Sequence, residues 1–325
     1  MNETGLVFGP VPSRRLGRSL GINNIPPKIC TYTCVYCQVG STIQLQVDRA
    51  RFFSPAEIFE SVSRKVRLAH TAGETIDYLT FVPDGEPTLD LGLGESISRL
   101  KGLMIPLAVI SNGSLITHPA VRADLALANW VSLKVDTVND TIWHVVDRPH
   151  GRLVLKHILE SMLTFRSQFQ GFLATETMLV GGVNDDSESL QETARYLSEL
   201  APETAYISIP TRPPAVSRIR PPQPDRVNAA YQIFSQHLKA VELITGYEGN
   251  AFSSTGNLKT DILNITAVHP MRSDAVAALV KRTGAGWQQI HELQESGHLQ
   301  KVDFDGHTYF IHNWDRKRHQ THPSS

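Results

Sequence analysis

Between residues 19 and 209, short apolar runs alternate with longer amphipathic stretches, and that rhythm restricts the fold more than any other feature of the chain. The apolar runs predict strands over 19–25, 77–82, 107–111, 130–135, 173–180 and 205–209. The stretches between them predict helices over 54–69, 91–101, 118–128, 152–168 and 187–200. At the first helix, Ser54, Pro55 and Glu57 stand at N-cap, first-turn and capping-box positions. Strands separated by helices imply an α/β fold with a parallel sheet and its helices outside. About six such units suit a partial (β/α)6 barrel better than a closed eightfold one.

Beyond residue 209 the pattern changes. Prolines 210, 213, 214, 221, 222 and 224 break regular structure and are expected to cross the barrel mouth. A helix is expected over 223–238, then a linker rich in Gly, Ser and Asn. The remainder reads as a small module: a helix over 262–268, one over 273–282 with Ser273 as cap, one over 286–295, then a hairpin. The hairpin strands, 299–304 and 307–312, flank Asp305-Gly306, a strong turn signal. Helices followed by a hairpin read as winged-helix-like. The expected division is therefore 1–248 for the barrel, 249–258 for the linker and 259–325 for the module with its basic tail.

Charge and cysteine usage narrow the function classes. The formal net charge is -1, which gives no global electrostatic case for nucleic acid or an anionic membrane. No run of ~18 apolar residues occurs, so no membrane span or membrane partner is expected. Residues 1–9 lack the pattern of a secretory signal. The 3 cysteines all fall between residues 30 and 37, a poor disulfide framework and a plausible metal site. A reducing cytoplasm is the expected location.

The cysteines stand as Cys30-Thr-Tyr-Thr-Cys34-Val-Tyr36-Cys37, a C-x3-C-x2-C spacing. Three thiolates can ligate three irons of a cubane [4Fe–4S] cluster, leaving the fourth iron open to a small molecule. The amino and carboxylate groups of a methionine suit that position. Zinc is the competing ligand, but it usually takes four protein donors. The nearest following histidine, His70, has no second histidine at ligand spacing.

This loop, placed after a first strand and with an aromatic before the last cysteine, resembles the signature of the radical SAM superfamily. The resemblance runs from about Phe8 to Pro214. It implies a [4Fe–4S] cluster on Cys30, Cys34 and Cys37, and S-adenosyl-L-methionine as cofactor. It also implies that Gly85-Glu86-Pro87 holds the methionine amino group, with Asp84 standing where the family usually has a glycine. Ser111 and Asn112 resemble the polar contact to the methionyl or ribose part. Lys134 would pair with the carboxylate and Asp136 with ribose hydroxyls. Glu176, Met178 and Val180 resemble the segment that packs on adenine, and Tyr36 would stack on the same base. All these residues fall at carboxyl ends of expected strands, where parallel α/β folds place their sites.

The segment from Gly9 to Gly21 resembles an uncharacterised branch of the superfamily related to tRNA wybutosine-synthesis enzymes. Its Arg14, Arg15 and Arg18 either bind an anionic substrate or redox partner, or brace the barrel bottom or lie in solvent. Arg212, after the sixth strand, is the candidate substrate contact. All three cysteines being used, none is left for an auxiliary cluster or a methyl-carrying thiol. The implied function is reductive cleavage of S-adenosylmethionine to a 5′-deoxyadenosyl radical that abstracts hydrogen from a substrate. A flavodoxin- or ferredoxin-type electron donor is implied as partner, and the substrate is a small molecule, an RNA or a protein. Two alternatives stay open: a tRNA- or nucleic-acid-modifying enzyme, and an iron–sulfur regulator whose C-terminal module reads DNA. That module can equally be a protein-interaction unit or a lid.

Overall fold

The structure, a computed structural model, describes residues 5–246, 252 and 256–313. Strands β1 (Val7–Ser13) and β2 (Gly17–Ile22) form an antiparallel hairpin. The next segment carries two short strands, β3 (Ile29–Cys30) and β4 (Gln44–Leu45), paired in parallel. Then come α1 (Pro55–Thr71), β5 (Tyr78–Phe81), α2 (Leu93–Leu100), β6 (Leu107–Ser111), α3 (Pro119–Leu125) and β7 (Trp130–Lys134). Helices α4 (Asp140–Val146) and α5 (Leu155–Gln168) precede β8 (Phe172–Met178), α6 (Ser187–Leu200) and β9 (Thr204–Ser208). Helix α7 (Pro224–His237) and β10 (Val241–Ile244) follow.

One eight-stranded sheet results, in the order β1-β2-β5-β6-β7-β8-β9-β10. Every pairing but β1–β2 is parallel. This is the α/β partial barrel that the alternation implies. The six expected strands form its interior, and β1 and β10 extend its two edges. Pro10 and Pro12 lack the amide that a central ladder needs, so β1 is confined to an edge. On the outer face, Leu79, Phe81, Val109, Val131, Leu133 and Ile207 are buried beneath Ile58, Ile97, Val121 and Ile158 of the helices. Alternate residues (Ser19, Thr80, Ile110, Lys134, Glu176 and Ser208) face inward and line a cavity.

Helix α1 starts on the expected capping box. The Glu57 amide donates to Ser54 Oγ at 3.1 Å, and the Ser54 amide donates to Glu57 Oε2 at 2.9 Å. Replacing Ser54 with alanine is expected to cost about 1 kcal/mol, read as a lower urea midpoint with an unchanged slope.

The C-terminal residues form α8 (Leu258–Val268), β11 (Met271–Arg272), α9 (Ser273–Thr283), α10 (Gln288–Glu295), β12 (Leu299–Phe304) and β13 (His307–His312). Their strands pair in the order β11-β13-β12. Asp305 and Gly306 both take positive φ, 48° and 72°, as the hairpin turn requires. The expected cap at Ser273 is corrected: Arg272 occupies the N-cap, pulled into β11, and Ser273 is already helical with no side-chain cap bond. Val276, Leu279, Ile290, Leu293 and Phe310 share a core with Phe8 and Val11 of β1, so these elements pack directly on the barrel's first strand. Most of the expected linker, 249–258, and the basic run Arg316-Lys317-Arg318 lie outside the described residues. Among those described, no helix is long and apolar enough to cross a membrane.

Candidate active site

The three cysteines sit on the segment that leaves the carboxyl end of β2. Backbone bonds pin this segment from outside. The Val35 amide donates to Val146 O at 2.9 Å, Thr33 to Asp147 O at 3.1 Å, and His150 to Thr31 O at 2.9 Å. Tyr32 meets Trp143 edge-on, with ring centroids 5.8 Å apart. Helix α4, absent from the expected element list, is thus the clamp that holds the cysteine loop.

Two polar side chains address the sulfurs directly. Cys34 Sγ donates to Asp147 Oδ1 at 3.3 Å, and Asn112 Nδ2 donates to Cys30 Sγ at 3.7 Å. Asn112 Nδ2 also donates to Thr31 Oγ1 at 2.8 Å. Burial pushes the Cys30 thiol up to about 12, with the Glu86 carboxylate adding to the effect. Burial and the Asp147 charge raise Cys34 well above the usual thiol range. Burial raises Cys37 as well, with the Lys28 ammonium opposing it. Burial thus favours the neutral thiols, and ionising them as ligands would call for a compensating positive charge nearby.

All three cysteines line one cavity of about 330 Å³ at the carboxyl ends of the strands. Tyr36, Gly85, Glu86, Ser111, Asn112, Lys134, Glu176, Met178 and Arg212 line it too. Pro87, Asp136 and Val180 are buried behind that lining. The Asp136 side chain is bound by Tyr36 OH and, at 2.7 Å, by the Met178 amide. Tyr36 OH also donates to Asp147 at 3.2 Å, and Lys134 Nζ stands 4.8 Å from the Tyr36 ring centroid. Burial and the Asp136 charge hold the Tyr36 hydroxyl well above its ordinary value, so it is a donor.

Glu86 ties two strand ends together. Its carboxylate accepts from Thr88 N at 3.0 Å, Thr88 Oγ1 at 2.6 Å, Ser111 Oγ at 2.7 Å and Asn112 N at 2.8 Å. The preceding Gly85 passes close under the cysteine strand. A Cβ there would lie 2.0 Å from Ile29 O, so no other residue fits. On the opposite wall, Glu176 pairs with Arg15, stands 3.4 Å from Lys134 Nζ, and accepts from Ser208 Oγ at 3.0 Å.

Three thiols facing one cavity are a donor set that suits a cubane. Among the described residues, no three His, Cys, Asp or Glu side chains converge as they would on one metal. A cubane, in which each thiolate takes a different iron, does not require such convergence. The Radical SAM superfamily signature matches residues 24–239, which carry the cysteine loop and the wall strands from β5 to β9. The chain belongs to the radical SAM superfamily.

As a radical SAM enzyme it uses a [4Fe–4S] cluster and S-adenosylmethionine. It is 44% identical over 310 residues to a UPF0026 protein of Methanocaldococcus jannaschii, covering 95% of this chain and 96% of that one. A radical SAM methyltransferase from Sphaerobacter thermophilus has a similar fold: TM-score 0.52 and 18% identity, over 70% of this chain and 66% of that one. An archaeal TYW1 structure aligns over 92% of this chain and 80% of its own, at TM-score 0.41 and 15% identity.

Several residues around the cysteines and the cavity escaped the sequence reading. Asp147 carried no local signal. Lys28 stands two places before Cys30, yet only the fold brings it to Asp84, Nζ to Oδ1 at 3.8 Å. His269 lines the cavity from the end of α8, its Nε2 3.1 Å from Arg212 Nη2. Arg212 also donates to Gln38, the neighbour of Cys37, and Tyr309 OH donates to Thr211 O at 2.8 Å. Of the early arginines, Arg14 and Arg15 line the cavity, while Arg18 lies outside it beside Glu74.

Proposed function

We propose that this enzyme cleaves S-adenosylmethionine reductively and uses the 5′-deoxyadenosyl radical to abstract hydrogen from a substrate. The observation that carries the reading is the single cavity lined by all three cysteines together with Gly85, Glu86, Asn112, Lys134 and Glu176. When bound, the cluster supplies one electron and an open coordination site, and the cation of S-adenosylmethionine becomes methionine plus the radical. The chain's own part is binding and orientation. Cys30, Cys34 and Cys37 hold the cluster, and Asn112 steadies the first of them. The turn at Gly85-Glu86 receives the methionine amino group, Lys134 its carboxylate, and Met178 with Tyr36 the adenosine side. Asp136, Pro87 and Val180 support that lining from behind.

An external one-electron donor of flavodoxin or ferredoxin type completes the scheme. Within this reading the division into barrel, linker (249–258) and winged-helix-like module gives the module the task of a chamber wall. Its His269 and the barrel's Arg212 then meet the substrate. A sensor that reads DNA would need the cysteines but not the rest of the lining.

The test is anaerobic: reconstitute with iron and sulfide, add dithionite and S-adenosylmethionine, and quantify 5′-deoxyadenosine. Product that requires both additions is expected. A reduced, cluster-loaded protein that binds S-adenosylmethionine and forms no deoxyadenosine, with or without cell extract as substrate source, would overturn the proposal.

A further inference from the structure

Lys28 and Asp84 have no task in the scheme above, although both line the cavity. Their side chains are 4% and 3% exposed. At 3.8 Å the ion pair is too long for a hydrogen bond, and Lys28 Nζ and both Asp84 carboxylate oxygens have no hydrogen-bond partner among the described residues. A buried ammonium in that condition is strongly unfavourable.

The backbone explains why the charge stays where it is. The Lys28 amide donates to Asp84 O at 2.7 Å, and Lys28 O accepts from the Ile43 and Gln44 amides at 3.0 Å each. Lys28 therefore ties the start of the cysteine loop to its end and to the Gly85-Glu86 turn. Its φ is 65°, a left-handed conformation that a residue other than glycine rarely adopts. Glycine would relieve both strain and buried charge, yet a lysine stands there. Two costs at one position mark a side chain kept for what it faces. It lines the same cavity wall as Cys37.

We propose that Lys28, held by Asp84, is a positioning residue for electron uptake: its ammonium stabilises the negative charge that the cluster gains on reduction and so raises the cluster's reduction potential. The step is one electron from a reductant into the cluster, with no proton moved. The inference rests on the cluster assignment made above.

The experiment is a redox titration of the reconstituted protein without S-adenosylmethionine, followed by the electron-spin signal of the reduced cluster, at about pH 8.5. Burial raises the Asp84 carboxyl to about 7, with the Lys28 ammonium opposing it, so the titration is run above that value. Lys28→Met is expected to shift reduction about tenfold against the reduced form, roughly 59 mV downward for a one-electron couple. Lys28→Arg should keep the wild-type value, and Asp84→Asn should shift it upward. A scaffolding role alone would not produce shifts of opposite sign.

An unmoved midpoint in fully loaded Lys28→Met protein overturns the inference. If that variant fails to fold or load, Asp84→Asn decides: an upward shift supports the role of Lys28, and no shift or a downward one overturns it. A wild-type protein that forms no [4Fe–4S] cluster fails at the cluster assignment, a different and separately visible result.

Discussion

Cys34→Ala protein is expected to fold, to retain no stoichiometric cluster, and to make 5′-deoxyadenosine only at the level of a protein-free control. Cys34 is the middle of the three thiols, and removing it leaves two, too few to fix a cubane against the open position. Its loss should hardly disturb the apoprotein. The Cys34 bond to Asp147 is replaced in part by Tyr36 OH, which already reaches the same carboxylate at 3.2 Å. Cys34→Ser separates the two roles, because a hydroxyl can still donate to Asp147 but is a poor iron ligand. Both variants should keep the circular dichroism of the apoprotein and lose the iron. Full iron and undiminished deoxyadenosine in Cys34→Ser would remove this residue from the cluster set.

The second large effect is structural. Glu86→Ala should destabilise the apoprotein by about 3 kcal/mol or more, because four donors lose their acceptor in a buried site. Two of those donors, Ser111 Oγ and the Asn112 amide, end β6, so the loss also frees the side chain that reaches Cys30. Glu86→Gln should fall between, since one amide oxygen replaces two carboxylate oxygens. The check is the denaturant midpoint of each apoprotein, together with the affinity for S-adenosylmethionine after reconstitution. A loss below about 1 kcal/mol for the alanine variant would mean that water takes over the carboxylate's place.

The barrel was legible where local pattern and tertiary role agree. The run over 107–111 is apolar because β6 is covered on its outer face, and Ser187 to Leu200 carries its own cap in Asp186. Strand β1 was hidden because Pro10 and Pro12 read as breaks, and an edge position tolerates them. Strand β10 was hidden because its four residues are partly exposed and look like the tail of a helix. The candidate site divides in the same way. The cysteines and the Gly85-Glu86 turn announce themselves by spacing. The partners of those residues do not, since Arg15 meets Glu176 and Tyr36 meets Asp136 only after six strands have been laid side by side. The Asp84 departure from the family pattern was visible, but its meaning depends on Lys28 across the turn.

The shared core of β1 and the C-terminal elements also dictates an order of assembly. Phe8 and Val11 leave the ribosome long before Phe310, which packs in the same core. Domains condense as they are synthesised, from the N-terminus onward. A barrel that condenses in that order would hold its three cysteines before the wall bearing His269 is made. That interval gives iron and sulfide donors an unroofed chamber to fill. Its duration is set by the time needed to translate the last elements, and slowing translation after residue 246 should raise the fraction of protein that matures with its metal.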